Sequence, residues 1–182
     1  MKELLNELSD VLRGIVLIGE CSPATHDVVV SFGERLSSLC IAHVLTSAGV
    51  ESEQLDTRSV VRTDATYGNA RVDLDATYGL VRAFFSTVHP LLVATGFIGS
   101  TYDGRTTTLG RGGSDYTASL FGAALSASRI EIWTDVDGVM TSDPRKVSDA
   151  RIVSQMTYEE AMELSYFGAK VIYYPTMIPA RD

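Results

Sequence analysis

The segment Leu109-Gly110-Arg111-Gly112-Gly113-Ser114-Asp115-Tyr116 runs three closely spaced glycines directly into a stretch with helical patterning. Glycine lets a backbone turn tightly and approach a ligand closely. The free N–H groups at the start of the following helix attract an anion. Arg111 adds a planar fork that can hold a carboxylate or a phosphate with two hydrogen bonds. The same residues also suit a plain tight turn in which Ser114 or Asp115 caps the helix. Eight of the 15 glycines lie between Gly96 and Gly138. Two familiar phosphate loops are excluded. Gly-Lys-Ser/Thr is absent, and a dinucleotide fingerprint starting at Gly110 would need glycine where Asp115 stands.

The surrounding chain alternates between two hydrophobic periods. Leu4, Leu5, Leu8, Val11 and Leu12 recur at helical spacing over residues 3–12, with Gly14 as the expected stop. A longer helix is expected over about 25–47, and another over 77–87 before Pro90. Leu91-Leu92-Val93-Ala94-Thr95 is a short continuous apolar run, expected as a strand buried on both faces. Asp103-Gly104 between residues 100–102 and 105–108 signals a hairpin. A helix over 115–127, a second buried strand over 130–134 and a turn-rich segment over 135–144 follow. Thr157 with Glu160 three residues on is a capping box opening a helix to about 167. This alternation predicts an α/β fold with a mostly parallel sheet. No repeat or Pro/Ser-rich linker interrupts the chain, so residues 1–182 are expected to be one domain.

Composition narrows the partners. Hydrophobic residues make up 45% and charged residues 21% of the 182 residues, ordinary for a globular chain. The longest apolar runs are strand-sized, well short of the roughly 18 residues of a membrane span. The acidic, amphipathic start is no secretory signal, and a cytoplasmic, membrane-free protein is expected. A net charge of −8 with no Lys/Arg run argues against a nucleic-acid surface. It leaves a nucleotide site open, since a few local cations and N–H donors suffice. Cys21 and Cys40 are expected as buried small hydrophobes in a reducing compartment. His26, His43 and His89 show no ligand spacing, and no metal-ligating set is expected.

Three further segments hold candidate chemistry. In Trp133-Thr134-Asp135-Val136-Asp137-Gly138 an apolar run ends in polar groups, as ligand-facing strand ends do. A long solvated surface turn fits equally. Lys170 follows small residues just beyond a helix, and Glu34 lies in Ser31-Phe32-Gly33-Glu34. Taken singly, each fits a solvated surface charge.

Taken together and in order, these segments resemble the aspartokinases. The resemblance is carried by Gly96-Phe97-Ile98-Gly99, by Gly104-Arg105-Thr106-Thr107-Thr108-Leu109-Gly110-Arg111-Gly112-Gly113-Ser114-Asp115-Tyr116 and by Ile132-Trp133-Thr134-Asp135-Val136-Asp137-Gly138. Thr141-Ser142-Asp143-Pro144-Arg145, Tyr166-Phe167-Gly168-Ala169-Lys170-Val171 and Ser31-Phe32-Gly33-Glu34 extend it over nearly the whole chain. It is closest to kinase domains fused to a homoserine dehydrogenase. The resemblance implies a three-layer αβα amino-acid-kinase fold that transfers the γ-phosphoryl group of ATP, with magnesium on its phosphates, to the side-chain carboxylate of aspartate. That reaction serves lysine, threonine and methionine biosynthesis.

Position by position, the resemblance implies that Glu34 receives the substrate α-amino group and Arg111 its α-carboxylate, with Phe97 among the substrate-binding residues. Gly112, Gly113 and Ser114 face the phosphates, and Asp115 organises the catalytic cations. Thr134, Asp135, Met140, Arg145 and Lys170 contact ATP, with Lys170 also catalytic and Met140 standing where the family carries tyrosine. A homo-oligomeric parent is implied. Residues 1–30 lack the family's Lys-Phe-Gly-Gly-Thr-Ser strand. The chain is therefore expected to be a partial kinase domain without its first strand, inactive or nearly so, and prone to self-association. Two rival readings are a kinase of this fold acting on another acceptor, such as glutamate, acetylglutamate, carbamate or a nucleotide, and a non-catalytic nucleotide-binding or assembly module.

Overall fold

In the computed structural model, which describes residues 1–143, 145–167 and 174–181, helix α1 (Lys2–Ile18) runs past Gly14 rather than stopping there. An interior glycine costs a helix only about 1 kcal/mol, and the apolar residues on either side carry the pattern through. The stop comes at Gly19, which takes a left-handed φ of 72° and returns its N–H to the carbonyl of Ile15 at 2.8 Å. Helix α2 (Pro23–Ser47) starts as its sequence dictates. The Ser22 hydroxyl accepts the N–H of Thr25 at 3.2 Å, and Pro23 occupies a first-turn position that needs no N–H. Arg35 of α2 holds α1 by a two-bond clasp on Glu7, at 3.2 and 2.8 Å, while its guanidinium lies 4.5 Å over the Phe32 ring.

The chain divides into two compact units, Met1–Ser114 and Asp115–Asp182. In the first, β1 (Ser52–Leu55) pairs in parallel with β2 (Leu91–Ala94), Ser52 opposite Leu91 and Leu55 opposite Ala94. Strand β2 is not buried on both faces as expected. Leu91 is exposed and Leu92 and Val93 are part-buried, because β1 is the strand's sole ladder partner among the described residues. The expected hairpin forms: β3 (Ile98–Ser100) runs antiparallel to β4 (Thr106–Thr108), with Gly104 at φ 82° in the connection. Helix α3 (Leu74–Phe84) begins three residues earlier than expected because Asp73 caps it, accepting the N–H of Ala76 at 3.0 Å. Phe32, Val61, Val81 and Ile98 form the dry centre of this unit.

Strand β4 is three buried threonines whose hydroxyls reach three different elements. Thr106 accepts from Arg58 Nη1 at 3.0 Å, in the 3-10 turn Thr57–Ser59. Thr107 shares a 2.7 Å hydrogen bond with Thr63. Thr108 donates to Asp27 of α2 through its hydroxyl (3.0 Å) and its N–H (2.9 Å), and Gly68 donates its N–H to the same carboxylate at 2.9 Å. Asp27 is fully buried. By length and composition α2 could cross a membrane, but this donor-filled carboxylate packs one of its faces against the rest of the first unit. The buried positions of α2 fall on residues 27, 31, 32, 35, 38 and 42. Cys40 lies two residues, about 200°, round the helix from Ser38. Cys40 is therefore exposed rather than buried, and Cys21, which precedes the helix, is exposed as well.

The second unit contains most of α4 (Gly113–Ala124), then α5 (Tyr158–Phe167) and α6 (Tyr174–Arg181), with Leu120, Met162 and Met177 buried. The capping box is present: Thr157 N–H donates to Glu160 Oε2 at 2.8 Å, and Glu160 N–H to Thr157 Oγ1 at 3.2 Å. The strand expected over 130–134 does not form. Ile130 is pressed onto Gly122, and Glu131 to Thr134 find no ladder partner among the described residues, leaving Trp133 89% exposed. Residues 139–153 fold back on themselves, Val153 N–H meeting Val139 O at 2.8 Å and Thr141 N–H meeting Arg151 O at 2.9 Å.

Asp27→Ala leaves two backbone N–H groups and a hydroxyl without their acceptor, so it is expected to cost about 3 kcal/mol of stability in chemical denaturation. Thr157→Ala removes the box at the start of α5 and is expected to cost about 1 kcal/mol.

Candidate functional site

The glycine turn follows directly from the β3–β4 hairpin. Beyond Thr108, Leu109 donates its N–H to the carbonyl of Phe97 at 2.8 Å, and Gly113 N–H closes on Gly110 O at 3.1 Å. Gly110 and Gly112 take φ of 72° and 68°, a region open to glycine at no steric cost. A Cβ at Gly113 would stand 2.8 Å from Phe97 Cδ2 and 3.1 Å from Leu109 Cβ. A Cβ at Gly110 would meet Asn69 Oδ1 at 2.6 Å, so the turn lies against the segment hung from Asp27 through Gly68. Gly96 abuts Ser114, whose Cα is 3.5 Å from where a Cβ would be. Phe97 itself is held at φ 59°, a left-handed conformation that costs a side-chain-bearing residue about 1–3 kcal/mol and persists only when its surroundings enforce it. Phe97, Gly113 and Ser114 are thus brought together with Gly96.

Arg111 is exposed on this turn and makes no hydrogen bond or ion pair among the described residues. Glu34 sits on α2 seven residues beyond Asp27, on the same helix face by the 3.6-residue repeat. Its carboxylate has no partner among the described residues, and burial pushes its pKa above the ordinary carboxylate value.

In the second unit Asp115 occupies the first turn of α4, without a partner among the described residues, and burial raises its pKa. Thr134 donates to Asp135 Oδ1 at 3.1 Å, both exposed. Met140 is part-buried opposite Ile152. Arg145 grips Asp143 through Nε and Nη2 at 3.1 Å, which holds the Asp143 carboxyl below its usual range. Lys170 lies outside the described residues.

Sequence reasoning overlooked Asp27 and the hydroxyls of Thr106 to Thr108, which brace this turn. The available signal was an aspartate directly before the apolar run Val28-Val29-Val30, where a charge without donors would be costly.

The profile of the "Amino acid kinase family" matches residues 9–182. "Lysine-sensitive aspartokinase 3" of Escherichia coli (strain K12) is 42% identical over 181 residues, covering 96% of this chain and 40% of that one. The "Bifunctional aspartokinase/homoserine dehydrogenase 2, chloroplastic" of Arabidopsis thaliana is 39% identical, covering 96% of this chain and 19% of its own length. The crystal structure of E. coli aspartokinase III in complex with aspartate and ADP superposes with a TM-score of 0.90 at 42% identity, over 98% of this chain and 40% of the other. The chain therefore spans about two fifths of the bacterial relative and one fifth of the plant one. With a profile match over nearly its whole length and the mixed α/β architecture of the aspartokinase structure, the chain belongs to the amino acid kinase family, and its fold is the amino-acid-kinase fold.

Proposed function

We propose that this chain is kinase-domain sequence of an aspartate kinase, which transfers the γ-phosphoryl group of ATP to the side-chain carboxylate of aspartate. The observation that carries the reading is the strained Phe97 seated against Gly113, with Gly110 and Gly112 both left-handed. Strain of this kind is kept where a backbone must present its N–H groups to a ligand. Glu34 receives the ammonium group and Arg111 the α-carboxylate of the acceptor. Gly112, Gly113 and Ser114 cradle the phosphates. Thr134, Asp135, Met140, Arg145 and Lys170 hold the nucleotide, Arg145 by leaving or sharing Asp143, which costs little because its side chain is 88% exposed.

The acceptor carboxylate is ionised at neutral pH and needs no base. Catalysis is then alignment of the attacking oxygen and neutralisation of phosphoryl charge. Magnesium binds proteins through one or two carboxylates plus the substrate's phosphates, and Asp115, a hard oxygen donor without a protein partner, fits that role. When bound, the ion would neutralise charge on the transferring phosphates. The parent protein is taken to assemble as a homo-oligomer.

Calorimetric titration of the chain with aspartate tests the acceptor site. Glu34→Gln and Arg111→Gln should each weaken aspartate at least tenfold, the worth of one charge-assisted hydrogen bond. Because burial raises the Glu34 pKa above the ordinary carboxylate value, lowering the pH through that raised pKa protonates it, and aspartate affinity should fall there. Native-like aspartate affinity in both variants would overturn the assignment. Gly113→Ala, whose Cβ meets Phe97, should lose nucleotide affinity about tenfold. Gly79→Ala, in open space within α3, should leave it unchanged.

A further inference from the structure

Strand β3 and strand β4 carry the glycine turn at one end. At the other end, about 10 Å away along three residues, lies a second concave surface. This cleft of about 370 Å³ is lined by Asp56, Arg58, Ser59, Arg62, Ser100 and Tyr102 among others. Its volume falls in the range of small-molecule sites. Its two arginines are in opposite situations. Arg58 is neutralised by a carboxylate: Nε and Nη2 grip Asp56 at 2.9 and 2.6 Å, and Nη1 donates to Thr106. Asp56 in turn stays ionised. Burial works to raise its pKa but is outweighed by the bonds from Arg58 and by the charges of Arg58 and Arg35, so it is lowered overall.

Arg62 is held just as firmly without being neutralised. Nη1 donates to the carbonyl of Arg58 at 2.7 Å and to the Ser100 hydroxyl at 2.8 Å, and Nη2 donates to the carbonyl of Ser59 at 3.2 Å. All three acceptors are neutral. Two of the five guanidinium donors, Nε–H and one hydrogen of Nη2, have no partner among the described residues. No carboxylate of those residues forms an ion pair with Arg62, in a chain whose net charge is −8. The nearby Asp73 is instead occupied by the Tyr102 hydroxyl, which donates to it at 2.6 Å. Capping the carbonyls of the 3-10 turn accounts for Nη1 and part of Nη2. It does not account for a fixed fork left open beside a cleft lined with hydroxyls.

We infer that Arg62 anchors a subsite for a small oxyanion, a phosphate or a carboxylate, at the hairpin end opposite the glycine turn. The fork matches either group bidentately. Because the side chain is already immobilised, little rotamer entropy is lost on binding. The Ser100 and Ser59 hydroxyls beside the anchor already donate to the carbonyls of Arg58 and Asp56, so the open donors of the subsite are those of the fork.

The test is an amide chemical-shift titration of the ¹⁵N-labelled 182-residue chain in low-salt chloride buffer. Inorganic phosphate is added in one arm and succinate in the other. Saturable shifts are expected at Ser59, Arg62, Ser100 and Tyr102 in at least one arm, and the stronger arm assigns the chemical class. Arg111→Gln should leave them unchanged, which separates this subsite from the proposed acceptor site. Arg62→Gln should weaken the response at least tenfold. Arg62→Lys, which keeps the charge but loses the fork, should weaken it to a similar degree. If the cleft amides are silent in both arms, or if either Arg62 variant titrates like the native chain, the subsite is overturned and Arg62 serves only as a cap. Should Arg62→Gln lose its dispersed spectrum, the lysine variant alone decides.

Discussion

A carboxylate shut away from water is tolerable only where donors meet it, and Asp27 is met by three. They come from Thr108 at the end of the hairpin and from Gly68 in the segment that walls Gly110. One side chain thereby ties the long helix α2 to both supports of the glycine turn. The neighbouring threonines continue the same logic, since Thr107 and Thr106 bind Thr63 and Arg58. The centre of this unit is therefore held in register by directional hydroxyl contacts as much as by apolar packing. Directional contacts specify one arrangement where apolar packing alone tolerates several.

That rigidity bears on how charge is distributed. Arg35 and Arg58 are spent on fastening α1, α2 and the 3-10 turn to Asp56 and Glu7. Glu34 and Asp115 are partly withdrawn from water and left without partners, and their raised pKa values record that cost. A fold tends to retain uncompensated, partly desolvated carboxylates where a ligand supplies the missing charge. Both waiting groups are carboxylates, so what they lack is a cationic partner.

Much of this was legible in the residues. Glycine-rich punctuation at 96–113 gave the turn, Asp103-Gly104 the hairpin, and Thr157 with Glu160 the start of α5, because each is a local rule satisfied by neighbours in sequence. The failures share a cause as well. Gly14 was read as a stop when the apolar pattern on both sides carried the helix through. Leu91 to Ala94 and residues 130–134 read as doubly buried strands, yet burial depends on partners remote in sequence, which periodicity cannot reveal. Cys40 was judged by residue type, whereas its exposure follows from its angular position on α2. Asp27 escaped notice because its donors lie at positions 68 and 108.

The separation between Asp27 and Thr108, 81 positions, also shapes how the molecule comes together. Joining points that far apart along a chain costs about 4 kcal/mol of loop-closure entropy beyond the constant term, and folds rich in such joins form slowly. Helices α1 and α2 can appear early from local contacts, but the hairpin has no fixed place until that loop closes. The glycine turn that this hairpin carries therefore takes its place after the helices. A partly folded chain would present its helices without the turn that is braced against them.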